Sequence, residues 1–164
     1  MKNARRFDDR ITIGGVPDSE DLSQLKDLGY KTLVDLREEE EKFGGAVQRK
    51  ATDLGLRYVG IPIRRDAVKM EDVRKFYDTV YEKGTAPIYA FSRFGRKPLA
   101  FLLLLEVVAK REHLPKIFRK ASRFGLTLQG DETLQEFLVD IYNSGNMEPI
   151  LESIQKHRPD LFNK

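Results

Sequence analysis

The chain has 164 residues, the size of one globular domain, and 34% of them are charged. Its net charge is only +3 and its basic residues are spread along the chain, which argues against nucleic-acid binding. It has no cysteine, which excludes disulfides, thiolate metal sites and a thiol nucleophile.

Residues 11–110 alternate short apolar runs with amphipathic segments, the pattern of an α/β layer structure with a largely parallel sheet. Asp18 or Ser19 caps a predicted helix running to Leu28, with Leu22, Leu25 and Leu28 at helical spacing and Gly29 ending it. Residues 32–36 read as a buried strand. Residues 38–54 read as a second helix, weakened by Gly44-Gly45 and closed by Gly55. Residues 57–63 form the next strand. Residues 70–81 carry apolar side chains at 70, 73, 76, 77 and 80, again one helical face. Gly84 leads into a strand over 88–91, and a Pro-started apolar helix covers 99–109.

Beyond Ala109 the pattern is all helical, over residues 114–124, 131–142 and 147–156, with Asp131 as the cap of the second. No Gly/Ser linker separates these helices from the α/β part. A single domain over 1–164 is therefore expected, with an α/β core at 8–110 and a helical cap at 111–164. Residues 1–10 are polar, without an apolar core of a signal segment. The longest apolar run, 99–109, contains Glu106 and is too short to span a bilayer. A cytoplasmic location and no membrane partner are expected.

The most informative stretch is Pro87-Ile88-Tyr89-Ala90-Phe91-Ser92-Arg93-Phe94-Gly95-Arg96-Lys97-Pro98. A buried strand ends in a short basic turn, and a helix follows at once. Amides at a helix start point outward and the helix dipole favours negative charge there, so this geometry can hold an anion. Candidate anion-binding groups are the backbone of residues 93–97 and the side chains of Arg93, Arg96 and Lys97. Phe94 at the tip is placed to touch an aromatic ligand or to pack on the cap. Pro98 suits a first helical turn and biases Lys97 towards extended backbone.

With these residues in view, the chain resembles cysteine-dependent protein tyrosine and dual-specificity phosphatases, most of all the small prokaryotic branch with a Cys-Arg-Ser-Gly-x-Arg type of loop. The resemblance covers roughly residues 8–110. Ile11-Thr12-Ile13-Gly14-Gly15-Val16-Pro17 looks like the family's opening strand and turn. Leu33-Val34-Asp35-Leu36-Arg37 looks like its strand ending in Asp-Leu-Arg, and Tyr58-Val59-Gly60-Ile61-Pro62-Ile63 like the strand before its acid loop. The resemblance implies a three-layer sandwich with a mainly parallel sheet of four to five strands. It also implies a loop Cys as nucleophile, a loop Arg clamping the phosphoryl oxygens, and an Asp from another loop as general acid.

Here the family's Cys falls on Ser92 and its common preceding His on Phe91. Its Gly is kept at Gly95, and its Arg falls on Lys97 or Pro98 according to loop length. A serine hydroxyl lacks the thiol's readiness to ionise, and Lys lacks the two-pronged grip of Arg on phosphate. Asp66 stands at the general-acid position, beside Arg64 and Arg65, which are placed to close over the anion but also favour the ionised carboxylate. Asp35 and Arg37 end a strand next to the loop; Arg37 braces the loop from below or joins a salt bridge. His113 and His157 lie in later helices, away from the loop.

The expected function is capture of a phosphate-bearing small molecule or phosphoprotein with little or no hydrolysis, a pseudophosphatase without cofactor or metal. Two alternatives stay open: an active phosphatase in which Ser92 replaces an original Cys or is itself a slow nucleophile, and a protein-interaction module with a vestigial loop. The sequence does not fix the oligomeric state.

Overall fold

The computed structural model describes residues 3–64 and 66–163. Its centre is a five-stranded sheet in which β2 (Ile11–Gly14), β5 (Ile88–Phe91), β3 (Thr32–Asp35) and β4 (Arg57–Gly60) run parallel in that order. A two-residue strand, β1 (Arg5–Arg6), pairs antiparallel with β2 and forms one edge. Side chains alternate across a strand, and the two faces accordingly carry different partners. Leu33, Tyr89 and Phe91 face α1 (Ser19–Asp27) and α2 (Ala46–Asp53), where they pack with Leu22, Leu25 and Ala51. Ile11, Ile13, Val34, Ile88 and Ala90 face α3 (Met70–Val80) and α4 (Arg96–Ala109). The result is an α/β sandwich with a largely parallel sheet, as the strand–helix alternation predicts, in the three layers that the resemblance implies.

Local signals act where they stand. Asp18 accepts the Asp21 amide at 2.8 Å and Asp21 returns a bond to the Asp18 amide at 3.0 Å, so both ends of a capping box start α1. The helix predicted over 38–54 is broken: a 3-10 segment covers Glu39–Gly45, Phe43 and Gly44 take positive φ values of 45° and 78°, and α2 begins only at Ala46. The Gly pair weakens the helix there enough for the chain to turn.

Helix α4 explains the cap. Its buried residues run from Pro98 to Leu105 without a gap and continue with Val107 and Val108. A helix that is apolar all round needs cover on every side. The sheet covers one side; α5 (Lys116–Ser122), α6 (Glu132–Ser144) and α7 (Glu148–His157) supply the rest through Ile117, Ala121, Phe137, Ile150 and Ile154. Phe101 and Phe137 meet edge to face at 5.9 Å, an arrangement aromatic pairs favour. Among the described residues no helix is long and apolar enough to cross a membrane.

Candidate functional site

The site lies where β5, flanked by β2 and β3, gives way to α4. The Phe91 carbonyl accepts the Leu36 amide at 2.9 Å, and the Ser92 amide donates to Gly14 at 3.4 Å. The chain then turns through Arg93 and Phe94 and enters α4 at Gly95, whose φ of +81° is the left-handed region. Gly95 also presses on β2: a β-carbon there would lie 3.0 Å from the carbonyl carbon and oxygen of Gly14. Gly is the residue that meets both demands. Gly14 is equally confined, since a β-carbon on it would meet the Tyr89 hydroxyl at 2.3 Å.

The buried Ser92 hydroxyl accepts the Gly95 amide at 3.2 Å, so it points into the turn. The amides of Arg96 and Lys97 head α4, where a helix offers no internal acceptor. Pro98, third in the helix, has no amide to leave unpaired. Lys97 is itself helical, which overturns the expectation of extended backbone before Pro98. That preference is weak beside the sharp Gly95 turn and the burial of the residues that follow.

A small cavity of about 30 Å³ opens at this point, lined by Leu36, Glu41, Ser92, Arg93, Phe94, Arg96, Lys97 and Asp131. Residues 92–97 thus meet as the sequence suggests. The guanidinium carbons of Arg93 and Arg96 each lie 5.1 Å from the centre of the Phe94 ring, which is partly exposed at the tip. Asn3 donates to the Phe94 carbonyl at 3.3 Å and ties the tip to the chain's start. Lys97 is not directed at the turn alone; its ammonium lies 3.3 Å from Asp131, at the start of α6.

A family model described as "DSP-PTPase phosphatase fused to NAD+ Kinase" matches residues 3–97. The chain belongs to this phosphatase family. The "Beta-lactamase hydrolase-like protein" of Agrobacterium fabrum is 30% identical over 112 residues, 66% of this chain and 26% of that relative, so the chain spans about a quarter of that protein's length. Among solved structures, the core catalytic domain of a PP-IP phosphatase from S. cerevisiae, in complex with citrate, superposes with a TM-score of 0.71 at 16% identity. That match covers 94% of this chain and 92% of the yeast domain. A DUF442 protein structure from Shewanella putrefaciens gives 0.68 at 17% identity over 88% and 91%. TpbA of P. aeruginosa, in a cysteine-to-serine form with pTyr, gives 0.61 at 14% identity over 83% and 82%. At these identities the structures share the fold.

Other candidate residues of this phosphatase-family chain stand elsewhere. Arg64 makes a two-pronged ion pair with Asp66, both contacts 3.0 Å, on exposed side chains outside the cavity lining. Opposite charges two residues apart in solvent pair with each other before they reach a distant loop. The hydrogen bond from Arg64, with its charge, holds the Asp66 carboxyl below the usual range although desolvation opposes it. That favours the form without a proton to give. Arg65, the other predicted closing residue, lies outside the described residues.

Asp35 and Arg37 form a buried pair: Nε meets Oδ1 at 3.0 Å and Nη2 meets Oδ2 at 2.8 Å. The Tyr58 hydroxyl donates to the same carboxylate at 2.5 Å. Burial, then the Asp35 hydrogen bond and charge, raise the Tyr58 pKa. Burial works against the Arg37 charge, but the Asp35 hydrogen bond and charge outweigh it and raise the Arg37 pKa. Arg37 also donates to the Glu41 carbonyl at 3.1 Å. The ion pair of Arg37 is with Asp35 at the end of its own strand rather than one between loops, and through the Glu41 carbonyl Arg37 fixes the turn that carries Glu41 to the cavity rim.

His113 pairs with the Tyr142 hydroxyl at 3.4 Å and His157 with Asp78 at 2.6 Å, so neither serves Ser92. Sequence reasoning missed the two carboxylates of the cavity. Glu41 stands in a run of four carboxylates, residues 38–41, whose charge suits a helix start, and Asp131 caps a helix 34 positions after Lys97; no local pattern links either to the loop.

Proposed function

We propose that the turn from Ser92 to Lys97 captures a phosphate-bearing ligand and holds it with little or no hydrolysis. The observation that carries this reading is the retained turn itself: Gly95 at φ +81° seats the start of α4 against Gly14, with Ser92 inside and three cations around it. The machinery for breaking a phosphoester is what has changed. Ser92 stands where the family has its thiol, in a chain without cysteine, and among the described residues both histidines pair elsewhere, His113 with Tyr142 and His157 with Asp78. Lys97 or Pro98, according to loop length, stands where the family has its clamping Arg. A neighbour of this fold in a cysteine-to-serine form is in complex with pTyr, which supports capture without a thiol.

Titration calorimetry with inorganic phosphate tests the binding half: sub-millimolar affinity is expected, lost on Arg96→Ala. The chemical half is tested with an aryl phosphate. No turnover above the uncatalysed rate is expected of the chain as it stands; turnover abolished by Ser92→Ala establishes a slow serine phosphatase instead. Absence of any phosphate binding points to the interaction module with a vestigial turn.

A further inference from the structure

We propose that Asp131 is a built-in competitor for the anion, so that capture of phosphate requires Asp131 to release Lys97. The inference rests on the reading that the turn holds a phosphate-bearing group, and it names the residue that regulates access.

The Lys97 ammonium lies 3.3 Å from Oδ2 of Asp131, and the two side chains are only 18% and 13% exposed. The other oxygen, Oδ1, accepts the Leu134 amide at 3.0 Å and caps α6. The carboxylate is therefore held from behind by a helix and faces the cation on the anion turn. It borders the same cavity as Ser92, Arg93 and Arg96.

Two physical points make this more than a structural ion pair. The first is space. The cavity is small, about 30 Å³, and Asp131 is part of its wall, so a phosphate with its four oxygens meets the carboxylate as it settles on the turn. The second is charge. Arg93, Arg96 and Lys97 share the cavity with Asp131 and Glu41, so its positive field is largely cancelled while the pair is closed. A dianion that takes Lys97 replaces one carboxylate with a group of greater charge; a singly charged anion offers no such gain. The cap itself does not require a charge, since Ser, Thr and Asn cap helices about as well as Asp. What Asp adds at this position is negative charge facing Lys97, and closure of the cavity by that charge selects for strongly anionic ligands.

The test is calorimetric titration of inorganic phosphate into the full chain and three variants. Asp131→Asn keeps a capping oxygen and removes the charge, and it is expected to bind phosphate about tenfold more tightly than the parent chain. Lys97→Met leaves the carboxylate without its cation and is expected to bind about tenfold more weakly, with most of that loss recovered in the Lys97→Met/Asp131→Asn double variant. Asp131→Ser, with the same expectation, serves if the Asn variant folds poorly. Parent binding with Asp131→Asn and Asp131→Ser no tighter overturns the competitor and leaves phosphate capture standing. If neither the parent nor any Asp131 variant binds phosphate, capture itself fails and the competitor fails with it.

Discussion

Gly95 rests on Gly14 so closely that a β-carbon on it would stand 3.0 Å from two backbone atoms of its neighbour, and its φ is +81°. The strand-to-helix turn is thus pinned to the sheet by two glycines. Gly95→Ala is expected to destabilise the protein by about 1–3 kcal/mol, combining left-handed strain with the close contact. Urea unfolding measures it. Phosphate affinity should fall in the same variant, and a variant as stable as the parent would show that the turn is free to relax.

The Asp35–Arg37 pair is buried on both sides, at 0% and 4% exposure. Asp35→Ala strands a buried guanidinium and the Tyr58 hydroxyl, and is expected to cost about 3–5 kcal/mol. Arg37 also carries the Glu41 carbonyl. The loss should therefore appear in hydrogen exchange as faster exchange over 39–45, and unchanged exchange there would separate the pair from the cavity rim.

Much of this architecture is legible in the sequence because the signals are local. Asp18 starts α1, the apolar residues of 88–91 form the central strand, and Leu22 and Leu25 mark a buried face, whereas Leu28, at the same spacing, lies past the helix end and is exposed. The turn at 92–97 is legible for the same reason: strand end, Gly and helix start are contiguous. The parts that were not legible are long-range. Asp131 reaches Lys97 because α4, apolar all round, draws α6 across it, and no periodicity encodes that meeting. Arg64 and Asp66 show the converse, with a local ion pair satisfying charges that the family pattern assigns to the site.

The alkaline limb of stability has a definite sign. Burial is the largest cause of the raised pKa of Tyr58, Tyr77, Tyr81 and Tyr89, and Tyr81 is pushed up to about 12. An unfolded chain releases tyrosine protons near about pH 10, while the folded chain keeps them, so the contribution is complete below that pH and is lost as pH rises towards the folded values. Urea-unfolding free energies should hold steady up to about pH 9 and fall beyond about pH 10, less steeply in Tyr81→Phe. A flat profile through this window contradicts the burial of these hydroxyls.

Phe94 is 44% exposed and stacks with Arg93 and Arg96. Phe94→Ala should change stability by less than about 0.5 kcal/mol. It should weaken phosphate binding by about threefold, because both guanidiniums lose the ring that orders them. A large loss of stability in thermal melts would assign the ring to packing instead.

The most direct test pairs two readings on one sample of the unaltered chain: calorimetric binding of inorganic phosphate and release of phosphate from an aryl phosphate. Sub-millimolar binding with no release above the uncatalysed rate is the predicted result. Release that disappears in Ser92→Ala, or no binding of phosphate at all, contradicts it.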